Sequence, residues 1–295
     1  MPYDSPKRVD WHFIPKETRK GLQIRHMSEA QRKLAHDLLK TLLSEAGYGK
    51  ATGIMGLENL LKDLEKTKTG TPLRDAERYY WTVFGDPAGK SAWGLSVEGH
   101  HLSLNFVIEG RKVISTTPTV FAVNPAIVMA EREGVAVKKG TRLLAEEEQL
   151  AFDLFAKLDG DQKKVALIAE KAPAEIRAAG APQPPTDAPA GISAAKLNKD
   201  QQKLLIQLIE AHAKNLPEFV AAQRMTKIEK SGFDRVHFCW AGADKPGIGH
   251  YFRVQGPSFL IELVNTQPDA AGNPANHIHC VWRSQEGDFA LPIGK

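Results

Sequence analysis

The sequence predicts an α+β fold in which a unit of helices followed by an antiparallel sheet occurs twice, in a pseudo-twofold arrangement. Three observations predict it. Helical periodicity and then strand alternation appear in the same order in the first and last thirds of the chain. Gln31, Lys33, Leu34 and Leu38 align without a gap on Gln201, Lys203, Leu204 and Leu208. Arg78, Gly85, Val97 and Gly99 align, again without a gap, on Arg235, Gly242, Val254 and Gly256. A shared ungapped frame and a shared element order are what an internal repeat leaves in a sequence.

The elements follow in order. Ser28 is a plausible N-cap for a first helix, and Leu34, Leu38, Leu39, Leu42 and Leu43 carry its period to about residue 46. A second helix is expected over 53–64. Strands are expected over 79–84, 93–108 and 113–117, separated by Gly- and Pro-containing turns at 85–89 and 109–110. Short amphipathic helices are expected over 146–158 and 162–170. Residues 178–191 are rich in Ala and Pro and read as a loop or linker. Helices over 197–213 and 217–229 and four strand runs then repeat the pattern. The expected organisation is a first unit over 1–125, a helical connector over 126–192 and a second unit over 193–295, closing together into one compact body.

Composition narrows the function. The chain has 295 residues, 42% hydrophobic and 25% charged, with a net charge of +4. These values suit a globular protein with a substantial core. No basic block is interleaved with aromatics, so nucleic-acid binding is not favoured. No run is long and apolar enough to span a membrane. Cys239 and Cys280 are the two cysteines, which excludes a disulfide-dense scaffold and a CxxC-type zinc site. One disulfide or two buried thiols are both open; as thiols they are expected to be buried small hydrophobes rather than reactive groups. Oligomeric state is not legible.

Histidines carry the strongest functional signal. In the run 276–283, Ile278, Cys280 and Trp282 form one strand face, so His277 and His279 share the other with Arg283. In the run 97–106, Leu102, Leu104 and Phe106 form the apolar face, and His101, Ser103 and Asn105 the opposite one. In the repeat frame His101 falls on Ser258, Asn105 on Glu262 and Trp93 on His250. Glu262 thus lies on the face equivalent to that of His101. Leu260 and Val264 share that face, so its carboxylate needs a cation, a metal or several hydrogen bonds. The two sheets are expected to join, bringing His101, Glu262, His277 and His279 together. A bulge at Glu98-Gly99 would re-aim Glu98 and His100, which rank next. Ser103 lacks a nucleophile elbow, and His12, His26, His36 and His212 are scattered at or near helices.

Several of these runs resemble a family of uncharacterised, mostly bacterial proteins, DUF3500. The resemblance lies in residues 93–106, with Glu98-Gly99-His100-His101 at their centre, and in 250–257. It continues in Glu262, Asn265-Thr266-Gln267, 276–283 and Glu286-Gly287-Asp288-Phe289, and in 9–15 near the start. It covers nearly the whole chain. Val264 stands where the family usually has Asp, and residues 268–275 form a longer segment before the His-x-His pair than is usual. The resemblance implies no activity. It does imply that many relatives are exported, so an extracytoplasmic location with the signal removed is expected beside a cytoplasmic alternative.

The first chemical expectation is a metal-dependent enzyme, hydrolytic rather than oxidative. It would hold a divalent ion (Zn, Fe, Mn or Cu) through His101, His277, His279 and Glu262. Its substrate would be small and polar or carbohydrate-like. Glu262, His100, Glu98 and Arg253 are the candidate catalytic groups, and His250, Asn265, Gln267, Asn276 and Arg283 the candidate substrate contacts. A redox metal in the same ligands would give an oxidoreductase instead. The second expectation is a metal-free His/Glu/Arg pocket for acid–base chemistry or for an anionic or sugar-like ligand. The third is a non-catalytic binding protein.

Overall fold

The computed structural model describes residues 1–70 and 73–294. Its fold is α+β. The first helix, α1 (Glu29–Leu42), opens on a capping box: Ser28 accepts from the Gln31 amide and the Gln31 side chain accepts from the Ser28 amide. The chain leaves the helix at Leu43, and Ser44 caps α2 (Glu45–Glu65) one residue later. The expected first helix to 46 and second from 53 are therefore two helices that nearly abut, because a cap serine interrupts the leucine period.

Among the described residues the strands of the first half are β1 (Leu22–Gln23), β2 (Tyr80–Phe84), β3 (Trp93–Gly99), β4 (Leu102–Glu109), β5 (Lys112–Ser115) and β6 (Thr119–Val123). Helices α3 (Ala145–Lys157) and α4 (Gly160–Ala166) follow, then β7 (Leu167–Ala169) and β8 (Ile192–Ser193). The last part carries α5 (Lys199–Ala213), α6 (Glu218–Gly232), β9 (His237–Gly242), β10 (His250–Gln255), β11 (Phe259–Asn265) and β12 (Ile278–Ser284).

The twelve strands of the described residues belong to one sheet, in the order β1-β2-β3-β4-β6-β12-β11-β10-β9-β7, with β5 on β4 and β8 on β9. Pairing is antiparallel except for β7 beside β9. The middle of the sheet is the β6/β12 pair, where Phe121 faces Cys280. Residues aligned in the sequence have matching local structure. Gln201 closes a capping box with Asn198 at the start of α5, as Gln31 does in α1. Gly85 follows β2 and Gly242 ends β9, at φ +83° and +87°, a left-handed backbone that a side chain disfavours.

The expected strand over 93–108 is corrected by the structure. It is a hairpin, with Gly99 facing Leu102 and His100-His101 as a two-residue turn. Alternating apolar residues on both sides hid the turn, which contains neither Gly nor Pro. Strand β6 lies beyond the expected strand run over 113–117.

Each sheet face has its own cover. Leu95, Val97, Leu104, Phe121, Phe252, Ile261 and Cys280 point into the main core, against α1, α2, α3, α5 and α6. The other face carries Glu98, Ser103, Asn105, Arg253, Glu262, His279 and Arg283, all buried. Irregular chain covers it through Trp11, Phe13, Ala172, Ile176 and Phe289. Cys239 and Cys280 belong to opposite faces and are both free and buried. No helix among the described residues is long and apolar enough to cross a membrane.

Buried polar bonds fix the irregular cover. Arg283 donates to Asp288 and to the carbonyls of Ala178 and Ala181, and its guanidinium lies over Trp11. The Trp11 indole donates to Ala181 O. The Ala/Pro-rich segment is thus a strap across the sheet, anchored at a charged group on a central strand.

Candidate metal centre

Three elements bring three imidazoles to one end of the β6/β12 pair. His277 and His279 flank Ile278 at the start of β12, so strand parity aims both rings at the polar face. His101 arrives from the β3–β4 turn. Its φ of +63° is unusual for a residue with a Cβ, and both backbone groups are held: its amide donates to Phe13 O and its carbonyl accepts from Ala122 N. The grouping of His101 with the pair is as expected, but the cause is the turn and not the parity of a continuous strand.

The Nε2 atoms converge. His277 Nε2 lies 2.8 Å from His101 Nε2 and 3.0 Å from His279 Nε2. One potential ligand atom from each ring falls within 4.8 Å of the others. His101 and His279 are buried, and His277 is half-buried. Phe13 packs edge-on against His279, with centroids 4.8 Å apart.

The second nitrogens show which tautomers are present. His279 Nδ1 lies 2.8 Å from both oxygens of Glu175, which can only accept from it. His277 Nδ1 lies 3.4 Å from the Asn124 amide nitrogen, a group that only donates. In neutral His279 the Nε2 atom therefore carries a lone pair, and it lies 3.0 Å from His277 Nε2. A further proton on His277 or His101 is costly. Burial first, and then the neighbouring imidazoles, hold His277 down to about 3 and His101 well below its ordinary value. A bound cation would instead take the converging ring nitrogens as lone-pair donors. Nitrogens 2.0–2.1 Å from a tetrahedral zinc stand about 3.4 Å apart, close to the spacing of these rings. The three histidines could hold a metal ion, with Glu175 as the outer carboxylate that orients a ligating histidine.

A polar chain adjoins the cluster. His100 lies against His101, centroids 3.7 Å apart, and its Nδ1 donates to Glu58 Oε1 at 2.5 Å. Arg74 lies 3.1 Å from His100 and pairs with Glu65. A cavity of about 540 Å³ opens beside His100, lined also by Glu58, Tyr79, Lys16, Arg19 and Arg78.

Other sequence-predicted residues lie elsewhere. Glu262 does have the cation its burial demands, but that cation is Arg177, at 2.6 Å, with the Tyr251 hydroxyl donating at 2.5 Å. Glu262 is absent from the histidine cluster, a correction whose reason is geometric. It faces Val281, one strand pair beyond His279, and its oxygens are already taken. Arg253 sits opposite Glu262 and near Asp187. Glu98 is buried against Lys20 rather than against His100. His250 is wholly buried on the helix side, stacked on Trp240 and bonded to Glu148, so it is no substrate contact. Arg283 is the strap anchor.

The remaining polar residues build the site from behind. Asn265 accepts from the His277 amide and donates to Glu148. Gln267 and Thr266 bond Ala174 O and thereby hold the turn that presents Glu175. Asn276 bonds both backbone groups of Ile127 and the Asp269 carboxylate. Sequence reasoning missed Glu175, Glu58 and Arg74. A signal existed for Glu58, an acid on the apolar helix stripe of Ile54, Leu57 and Leu61. Glu175 lies in an Ala/Pro-rich stretch with no periodicity to read.

A family model described as "Protein of unknown function (DUF3500)" matches residues 1–291. No curated protein and no solved structure matches.

Proposed function

The chain belongs to the DUF3500 family, and on that footing we propose that it is a metal-dependent enzyme, hydrolytic in type, acting on a small polar substrate. One observation carries this reading: three imidazole Nε2 atoms converge on one spot, and the Glu175 partner of His279 leaves the Nε2 of that ring as a lone-pair donor. A divalent ion bound by three histidines keeps a further position open and supplies a Lewis acid and a water of lowered pKa.

The chain's own groups do the rest. Glu175 fixes the His279 ring and raises the basicity of its ligating nitrogen. Glu58 holds the Nδ1 proton of His100, leaving Nε2 of that ring as the proton acceptor. Lys16, Arg19 and Arg78 line the adjoining cavity and would orient a polar, oxygen-rich substrate.

We also infer that the fold arose by internal duplication. The mirrored strand order about the β6/β12 pair, the paired capping boxes and the paired left-handed glycines support it. The histidine site breaks that symmetry, since Pro257 and Ser258 fill the turn matching His100 and His101.

The test is hydrolysis of a panel of esters, lactones, phosphoesters and glycosides by protein stripped with a chelator and reloaded separately with Zn, Mn, Fe or Cu. Turnover that follows the metal and is lost in His100→Ala supports the reading. Turnover that needs a redox ion and dioxygen would move it to oxidation. Turnover unchanged by stripping would move it to metal-free acid–base chemistry.

A further inference from the structure

A second cavity, of about 310 Å³, lies at the far end of β12 on the helix side of the sheet. Trp282 and Ser284 reach it, three and five residues, or about 10 and 17 Å, beyond His279 at strand spacing. One wall is apolar, made by Val220, Phe259 and Trp282. Arg224 of α6 lies across the Trp282 ring at 4.3 Å and donates through Nη2 to Thr116.

The charge balance of this cavity is incomplete. Arg224 has no carboxylate within ion-pair distance among the described residues. Asp288, the nearest acid acting on it, is engaged by Arg283. The other lining ions, Lys227 and Glu286, pair with each other at 2.6 Å. A guanidinium is planar and presents five donors, and here one edge is spent on Thr116 while the face is spent on indole. A cation so placed, beside an apolar wall and a serine hydroxyl, matches a ligand with one anionic group on a compact apolar body. The volume lies within the range of small-molecule sites.

We propose that this cavity binds a small organic monocarboxylate, its carboxylate on Arg224 and its apolar part against Phe259 and Trp282. Burial that lowers the Arg224 guanidinium to about 9 is consistent with a cation awaiting a counter-ion. The site shares no residue with the histidine cluster, so it stands or falls apart from the metal reading.

The experiment compares phenylacetate and hexanoate with their neutral amides, by calorimetry and by the indole NMR signals of the five tryptophans. The Trp282 signal is assigned with Trp282→Phe. At least one acid is expected to bind about tenfold or more tightly than its amide, the scale of a charge-assisted hydrogen bond. It should shift the Trp282 signal, and Arg224→Gln should abolish the preference. Acids no better than amides, or acid binding that leaves Trp282 unmoved, would overturn the proposal. Both readouts use the unaltered protein and decide the matter even if Arg224→Gln fails to fold.

Discussion

Glu175 lies with both carboxylate oxygens 2.8 Å from Nδ1 of His279, and that single contact sets the tautomer of the ring. The Nε2 lone pair is then directed at His277. Glu175 comes from the turn that leads into the strap and His279 from the central strand, so the site is completed only when that part of the chain is seated on the sheet.

Glu175→Gln should therefore weaken metal binding while leaving the fold intact. The Glu175 side chain is about one-third exposed, so its loss leaves little buried polar surface unpaired. Loss of such an outer carboxylate typically lowers affinity ten- to hundredfold. A competition titration against a chromogenic chelator measures it, and unchanged affinity would remove Glu175 from the site.

His101 sits at φ +63°, where a Cβ is costly. His101→Gly should be more stable than His101→Ala by about 1 kcal/mol, since glycine occupies the left-handed region without strain. Both variants should lose metal equally. Chemical denaturation separates the two effects, and an alanine variant as stable as the glycine one would contradict the turn geometry.

Glu262 provides the converse case. Its carboxylate serves Arg177 and Tyr251, not the histidines. Glu262→Gln should lower stability by about 2 kcal/mol, because Arg177 loses a buried charge partner. Metal affinity should change by less than about threefold, far below the effect of losing an outer-shell ligand partner. Loss of metal in this variant would restore Glu262 to the ligand set.

His212 gives a pH dependence away from the site. It is buried in α5, its Nδ1 donates to Leu208 O and its Nε2 has no partner. Burial lowers its pKa below the ordinary value of 6.5. Below pH 6.5 the unfolded chain takes a proton at this residue that the folded chain refuses. This contribution to stability is therefore present above 6.5 and is lost as pH falls toward the folded value. Denaturation curves between pH 7.5 and 5 should show a shallower decline in His212→Phe than in the parent.

Much of the fold can be read from the sequence because alternation and caps are local signals. Leu102, Leu104 and Phe106 face the core as strand parity requires, and Ser28 caps the first helix. What local patterns hide is pairing. The His100-His101 turn has no turn-forming residue type, and it is held by contacts to Phe13 and Ala122 that are distant in sequence. The same limit explains the site. His277 and His279 are legible as a pair because two residues of one strand share a face. The choice between Glu262 and Glu175 as neighbouring acid depends on where the strap lies, and its Ala/Pro-rich sequence carries no periodicity. Likewise His250 and Arg283 are polar residues on strands, and only their partners, Glu148 and Asp288, reveal structural duty.

The central claim is that His101, His277 and His279 together hold a metal ion. Its most direct test is equilibrium binding of zinc to chelator-stripped protein, by calorimetry, in the parent and in His277→Ala. One ion per chain is expected in the parent and at least a hundredfold loss of affinity in the variant, since His277 Nε2 lies within 3.0 Å of both other rings. A parent that binds no zinc, manganese, iron or copper, or a variant that binds as tightly as the parent, would contradict it.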